Sequence, residues 1–382
     1  MLSVCFIARN EEANLPRAIS SVRSVADEVV VADTGSTDRT VELAKEMGAV
    51  VCHFPWCDDF SAARNFAIRH ATGDWILWLD ADEELLAESV EELRASMARE
   101  DALAFFIRRQ DLKRADQLDY YTMMWQLRLF RRRDDLRFQG RCHPDFRPGL
   151  EEIEEKTGLN VSHSTITIRH YGYIGELVPA KLRRAARLLE LELRDRPGQL
   201  YYLIEYGRTL LMLQDPRGQE ILRQAAGMLL PHMAEEEAPL ALASLLIEHM
   251  LQLPVEQLPE GFTPQLLEGL VWKWFPTNPP LLWLLARKSA MAGQFDAAEN
   301  LLRGLVRMGT NHDYDQWVSF DPRIIGDDAR SNLGACLVRQ GKMNEAASLF
   351  RGLVASPTHG AQARSNLEAI EQFLRQAQAG GK

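Results

Sequence analysis

The chain of 382 residues is long enough for two or three domains, and its 46% hydrophobic and 26% charged residues are typical of a globular protein. A formal net charge of −10 argues against a nucleic-acid partner, which would need a basic surface to neutralise phosphates. No apolar run is long enough for a transmembrane segment, and the five cysteines form no disulfide or zinc pattern, so we expect a cytoplasmic protein.

Strand-like and helix-like segments alternate through the first hundred residues, which is typical of βα units and a mostly parallel sheet. The predicted strands are 2–8, 28–33, 49–54 and 75–79, and the predicted helices start at Leu15 and cover Thr40–Met47 and 61–71. The five apolar residues from Trp75 to Leu79 do not alternate with polar ones, which indicates helices on both faces of the sheet.

The pattern changes further along the chain. Three more strands, 102–109, 126–132 and 164–171, are predicted with polar loops between them. From about Lys181 the chain becomes a series of helices, with Pro and Gly confined to the breaks. We therefore predict an α/β domain over residues 1–178 and an all-α domain over residues 179–382.

The all-α domain contains an internal repeat. The segments that begin at Gly293 and Gly341 match at seven positions, Gly, Ala, Leu, Arg, Gly, Leu and Val, and each follows a helix with small residues. This pattern of helix, glycine turn and second helix resembles tetratricopeptide repeats. Such repeats stack into a curved solenoid whose concave face binds a partner, and a plain helical bundle is the alternative.

Polar residues follow three of the predicted strands. The first strand runs into Arg9 and Glu11, the second into Asp33, and the fourth into Asp80 and Asp82. Because the carboxyl ends of parallel strands share one edge of a sheet, these residues predict a polar ligand site at that edge.

The acidic residues after the fourth strand have two interpretations. The carboxylates of Asp80 and Asp82 suit a Mg²⁺ or Mn²⁺ ion that completes its shell with diphosphate oxygens and water. Alternatively, the acidic run complements the positive N-terminus of a helix that contains Leu85, Val90 and Leu93.

Four motifs follow one another in the first domain: IARNEEANLPRAI, VVVADTGSTDRTVELA, FPWCDDFSAARNFAI and TGDWILWLDADEEL. Together they resemble family 2 glycosyltransferases of the GT-A fold, in the subgroup that carries tetratricopeptide repeats behind the catalytic domain. The resemblance is dense to about residue 95 and looser to about 175. It implies a Rossmann-like domain and a metal-dependent, inverting enzyme that uses a nucleotide-sugar, commonly a UDP-sugar.

The resemblance also implies a donor site. Asp33 would hydrogen-bond the donor base, and Asp38 would support the loop or start the following helix. Arg9 would pack on the base or pair with phosphate, next to Glu11. Arg64 resembles the donor-contacting basic residue of the family, and a surface or salt-bridged arginine is the alternative.

The metal and its neighbours are implied in the same way. Asp82 would bind the metal directly, and Asp80 would contact the ribose or act indirectly. His170 is a candidate for a further metal ligand, although a histidine at a strand end is also commonly only hydrogen-bonded.

The sequence does not identify a single residue as the general base. Relatives carry His-Glu after an F-x-G-x turn, whereas this chain has His143, Pro144 and Asp145. Asp145 and His143 are therefore candidates for the base, with a structural role as the alternative for both.

These observations predict a glycosyltransferase that modifies a protein, peptide or glycan acceptor, which the repeats would recruit. A non-catalytic scaffold that holds a nucleotide and binds a partner through its repeats is the alternative, favoured by the missing glutamate. A nucleotidyltransferase would show a basic, Gly-rich loop after the first strand, and this chain has none there.

Overall fold

The structure is a computed structural model that describes residues 1–144, 146, 149–172, 174 and 178–380, with side chains of the last helix described as far as 376. The chain divides into two compact units, Met1–Leu222 and Arg223–Lys382. Within the described ranges, none of the helices is both long and apolar enough to cross a bilayer.

The first unit is built on one mixed sheet, in which the described residues form eight strands. In chain order these are β1 (Leu2–Ala8), β2 (Glu28–Asp33), β3 (Val50–His53), β4 (Trp75–Asp80), β5 (Glu83–Leu85), β6 (Ala102–Leu112), β7 (Tyr121–Arg131) and β8 (Asn160–His170). Their spatial order is β3-β2-β1-β4-β7-β6-β8-β5. The pairs β1–β2, β2–β3, β1–β4 and β6–β8 are parallel, whereas β4–β7, β6–β7 and β5–β8 are antiparallel. The α/β fold is confirmed, but the sheet is parallel chiefly in its first half.

Helices cover both faces of this sheet. They are α1 (Leu15–Val22), α2 (Thr40–Glu46), α3 (Phe60–His70), α4 (Val90–Ala98) and α5 (Gly149–Thr157). In β4, Trp75, Leu77 and Leu79 pack into one core layer with α1 and α4, while Ile76 and Trp78 pack into the other with α3 and α5. The unbroken apolar run of β4 therefore reflects burial on both faces, as predicted.

Two local features differ from the expectation. Glu83–Leu85 forms β5, whose backbone pairs with β8, so the helix expected to contain Leu85 begins only at Val90. Helix α5 lies where only loops were expected, because its apolar stripe, Leu150 and Ile153, is too short to stand out in the sequence.

After the sheet, the described chain continues with α6 (Val178–Asp195) and α7 (Leu200–Met212). These two helices belong to the first compact unit, which extends to Leu222. Leu188 and Tyr202 share a buried cluster with Cys142 and with partly buried Trp56 and Phe60 of the α/β region. The predicted division at residue 178 is thus a change of secondary structure, and the change of packing unit comes later.

The rest of the chain is helical. Its helices are α8 (Arg217–Leu229), α9 (Ala243–Gln252), α10 (Pro264–Trp274), α11 (Pro279–Met291), α12 (Phe295–Asn311), α13 (Asp327–Arg339), α14 (Met343–Leu353) and α15 (Gly360–Gly380). From α11 to α15, each helix packs on the next. Gly293 and Gly341 occupy the turns of the two repeats with φ of 76° and 75°, and a Cβ on Gly334 would lie 2.7 Å from the Phe350 ring. The glycine turn and the small residue at a close helix crossing are both confirmed, consistent with tetratricopeptide-like repeats.

Candidate active site

The polar ends of β2, β1 and β4 meet at one edge of the sheet. Ala8 of β1 pairs with Asp33 of β2, and Ile7 of β1 pairs with Asp80 of β4. Asp33 and Asp80 therefore lie on either side of the exit from β1. This is the edge at which α/β sheets bind ligands.

Asp33 is a buried, fixed acceptor, with 4% of its surface exposed. Its carboxylate accepts hydrogen bonds from the backbone N–H groups of Gly35 (3.3 Å) and Ser36 (3.1 Å), and Nδ1 of His53 lies 3.2 Å away. Burial by itself would raise the pKa of Asp33, but these hydrogen bonds outweigh it and lower the pKa. The side chain is thus held as an anion.

Asp38 connects the exits of β1 and β2. Its carboxylate accepts hydrogen bonds from the N–H of Thr40 (3.0 Å) and the N–H of Glu12 (3.1 Å). It therefore supports the loop, whereas the N-cap of α2 is Arg39, whose side chain makes no capping hydrogen bond. Thr40 Oγ1 in turn accepts the N–H of Glu11 (2.7 Å), whereas the side chain of Arg9 is exposed.

Asp80 lies against two arginines. Nη2 of Arg64 is 3.2 Å from its Oδ1, and Nη2 of Arg128 is 3.7 Å from its Oδ2. Both guanidinium groups also stack on Trp78, at 3.7 and 3.5 Å from the ring centroid. Burial favours the neutral acid, but the two arginines lower the pKa of Asp80. Arg64 thus forms a salt bridge within the protein, which was one of its two predicted roles. Its other predicted role, contact with the donor, stays a prediction.

A buried ion pair, Glu83 and Arg128, contacts Asp80. Glu83 and Arg128 are both fully buried, and two hydrogen bonds of 2.8 Å join them. Glu83 Oε2 also accepts the backbone N–H of Asp80 at 2.8 Å. The carboxylate of Glu83 therefore does not interact with a helix N-terminus, because it forms a salt bridge with Arg128. Sequence reasoning missed this pair, whose one signal was a charged residue inside the apolar run of β7.

Asp82 is the centre of a second cluster. Lys181 Nζ donates to its Oδ2 at 2.6 Å, and His170 Nε2 lies 3.5 Å from its Oδ1. Nδ1 of His170 is 2.6 Å from Asp111 Oδ1. Burial and, to a smaller extent, the charge of Asp82 raise the pKa of Glu11, whose carboxylate accepts a hydrogen bond from Asn14 at 2.8 Å. The structure brings together the two predicted metal ligands and adds Asp111 and Lys181, which sequence reasoning missed.

Gly172 packs against these groups. A Cβ on Gly172 would lie 2.3 Å from His170 Nε2, 2.4 Å from Asp82 Oδ2 and 2.8 Å from Lys181 Nζ, so a side chain at this position would collide with the cluster. The carboxylate of Asp82 and the imidazole of His170 are groups that bind divalent cations in proteins. Asp111 holds the far nitrogen of His170, which is how metal-binding histidines are commonly oriented. The chemistry of these residues therefore fits a divalent cation.

Only two protein side chains, Asp82 and His170, are proposed as ligands of the cation. In the described ranges, no group of three or more His, Cys, Asp or Glu side chains is arranged to hold a metal ion. The remaining ligands would have to be water and phosphate oxygens, which is common for Mg²⁺ at phosphate sites.

In the metal-free protein, the protonated form of His170 is expected to stabilise the fold. Burial would lower the pKa of His170, but hydrogen bonds to Asp111 and Asp82 raise it to about 9. An unfolded histidine has a pKa of about 6.5, so the stabilisation is complete below that pH and is lost as the pH rises through the folded pKa. We expect the unfolding free energy to fall by about 2–3 kcal/mol across this window, measured by urea denaturation in EDTA.

A His170→Asn variant is the control for this prediction. Desolvation would lower the pKa of His143, but neighbouring Cys142 and Glu205 raise it, so His143 titrates in the same window in both proteins. The difference between the two pH profiles isolates His170. Parallel profiles would show that His170 carries no such stabilisation.

The two candidates for the general base have different outcomes. Asp145 lies outside the described residues. His143 is a non-glycine residue with a positive φ of 50°, and 40% of its side chain is exposed. Its Nε2 lies 3.4 Å from Oε2 of Glu205 in α7, a partner that no local motif could indicate. A catalytic role for either residue stays a prediction.

Part of the chain matches a family model, and parts of it are similar to known proteins. A family model described as Glycosyl transferase family 2 matches residues 3–148. A TPR repeat-containing protein of Synechococcus elongatus is 42% identical over 219 residues, which are 56% of this chain and 53% of that protein. An uncharacterized glycosyltransferase of Rickettsia typhi is 41% identical over 119 residues, 30% of this chain and 40% of that protein. The chain thus spans about half or less of the length of these relatives.

Solved structures are more distant. Glucosyl-3-phosphoglycerate synthase of Mycobacterium tuberculosis, in complex with Mn²⁺, UDP and phosphoglyceric acid, aligns with 52% of this chain and 80% of its own at 17% identity and a TM-score of 0.36. A TM-score this low supports no inference from the ligands of that structure.

Proposed function

Since residues 3–148 carry a glycosyl transferase family 2 domain, we propose that this protein transfers a sugar from a nucleoside-diphosphate donor, in particular a UDP-sugar, to an acceptor. The observation that carries the proposal is the placement of Asp33 and Asp80 on either side of the β1 exit, with Asp82 directly after β4. A base, a ribose and a diphosphate require polar groups in such an arrangement along one sheet edge.

Asp33 and Asp80 divide the recognition of the nucleoside. The anionic Asp33 can only accept hydrogen bonds, which suits the imide N–H of uracil. Asp80, kept ionised by Arg64 and Arg128, would accept a hydrogen bond from a ribose hydroxyl. Arg9 and Glu11, at the exit of β1 between them, would complete the donor contacts.

Asp82 and His170 would hold a divalent cation, Mn²⁺ or Mg²⁺. Such an ion, when bound, neutralises the charge that develops on the leaving diphosphate. Asp111 orients His170 for this role through the 2.6 Å contact with Nδ1.

The acceptor side completes an inverting mechanism, in which the acceptor hydroxyl attacks the sugar carbon as the diphosphate leaves. A base must take the hydroxyl proton from the side opposite the diphosphate, and His143 and Asp145 are the candidates. The helical repeats would recruit a protein, peptide or glycan acceptor.

Calorimetric titration with UDP tests the donor site. We expect UDP binding that requires Mn²⁺ and that Asp82→Asn abolishes; metal-independent binding would contradict the cation site. Hydrolysis of one member of a nucleotide-sugar panel would identify the donor. Binding of UDP with no turnover of any sugar would favour the non-catalytic scaffold instead.

Asp33→Asn is expected to weaken UDP binding about tenfold, because the amide has no negative charge and keeps only one of the two acceptor oxygens that the backbone N–H groups and the uracil N–H would share. A tenfold loss is about 1.4 kcal/mol, at the lower end for a hydrogen bond to a charged group. The measurement is UDP affinity at saturating Mn²⁺. The affinity of Mn²⁺ alone is the control and should not change, since Asp33 does not belong to the Asp82 cluster. Unchanged UDP affinity would remove Asp33 from the base site.

A further inference from the structure

Lys181 lies where the proposed cation would have to bind. It belongs to the first turn of α6, 99 residues after Asp82, and its Nζ donates to Asp82 Oδ2 at 2.6 Å. The same Nζ, His170 Nε2 and Asp82 Oδ2 all lie within 3 Å of the position that a Cβ on Gly172 would take, so the three groups are close neighbours. The ammonium therefore neutralises the carboxylate that the cation would use.

The lysine contact and the cation exclude each other. A protonated lysine has three donors and no lone pair, so it cannot be a metal ligand. A divalent ion bound to Asp82 Oδ2 would have the Lys181 ammonium, a like charge, on the same carboxylate oxygen, and Coulomb repulsion between such close charges is strong in a partly buried site. Since Asp82 is 7% exposed, solvent screens this repulsion poorly.

Lys181 has room to move. Its side chain is 32% exposed, whereas the side chain of Asp82 is 10% exposed. The four-carbon stem of a lysine is also flexible. A donor diphosphate bound to the cation would bring new negative charge to the same place. The displaced ammonium can then pair with phosphate oxygens and need not remain without a partner.

We propose that Lys181 is a tethered counter-ion that competes with the divalent cation for Asp82 and pairs with the donor diphosphate once the cation is bound. This inference rests on the proposed function. It makes cation and nucleotide binding mutually dependent: the cation alone must break the Asp82–Lys181 contact, whereas the cation with a diphosphate supplies a replacement. The site then binds the two ligands with positive coupling.

The test is a Mn²⁺ titration followed by electron paramagnetic resonance, with and without UDP, on the full chain. Lys181→Met should bind Mn²⁺ alone about fivefold or more tightly, because the competitor is gone, and should lose most of the UDP-induced gain in Mn²⁺ affinity. Lys181→Arg should restore part of that gain, since the positive charge is kept. Lys45→Met, at an exposed position of α2, is the matched control and should behave as the wild type.

The outcomes separate this inference from the function on which it rests. If Asp82→Asn abolishes Mn²⁺ binding but Lys181→Met leaves the Mn²⁺ affinity and its coupling to UDP unchanged, the role of Lys181 is overturned and the cation site stands. If the wild type binds no Mn²⁺ even with UDP, both are overturned. Thermal unfolding curves that match the wild type show that a variant has remained folded.

Discussion

Gly172→Ala is expected to weaken Mn²⁺-dependent UDP binding by roughly 100-fold while leaving the protein folded. The added Cβ would stand 2.3 Å from His170 Nε2 and 2.4 Å from Asp82 Oδ2, so it would collide with both proposed ligands of the cation. His170 cannot easily turn away, because Asp111 holds its other nitrogen at 2.6 Å. The methyl group therefore forces apart the two side chains that would have to share the ion.

Stability should also fall, by about 1–3 kcal/mol, because the methyl group overlaps His170, which Asp111 holds in place. The atoms that the new methyl group would meet are the ends of side chains, of which Lys181 is flexible, and Gly172 does not have a left-handed φ. We would measure UDP and Mn²⁺ affinities by calorimetry and unfolding by circular dichroism. Gly269→Ala, in a helix with open space around the added Cβ, is the matched control and should leave binding unchanged. Normal Mn²⁺ affinity in Gly172→Ala would place the cation elsewhere.

Arg128→Leu is expected to lower the unfolding free energy by about 3–5 kcal/mol, because it leaves the carboxylate of Glu83 buried without its partner. Glu83 and Arg128 are both fully buried and joined by two 2.8 Å hydrogen bonds. Glu83→Leu should have an effect of similar size, since it leaves a buried guanidinium in the same position.

The double variant distinguishes a partner effect from a general packing defect. Replacing both residues with Leu removes both charges, so we expect a smaller loss than the sum of the single variants. Urea denaturation of the four proteins gives the coupling energy. Additive losses would show that Glu83 and Arg128 act through packing and not through their charges.

Much of the secondary structure and its burial could be predicted from the sequence, because these features depend on local patterns. The bounds of β1 and β2, the two-sided burial of β4 and the glycine turns of the repeats all follow from periodicity and turn chemistry within about ten residues. The placement of Asp33 and Asp80 on one edge follows from a single general rule for parallel sheets.

The contacts that complete the site could not be predicted in this way. Asp82 meets Lys181 across 99 residues, and Glu83 meets Arg128 across 45. These contacts depend on the register of β7 against β4, on the register of β8 against β5 and on the residue at which α6 begins. No sequence motif indicates any of these. Gly172 carries no side chain, so its importance is visible only from the atoms around it.

The pairing of Asp82 with a lysine 99 residues further along has a consequence during translation. At about 5–20 residues per second, the ribosome finishes the acidic segment roughly 5–20 s before Lys181 is made. For that time the nascent chain has the carboxylate of Asp82 without the ammonium that pairs with it in the folded protein. The contact can form only after the start of α6 has left the ribosome, so this part of the site is completed after the sheet has been synthesised.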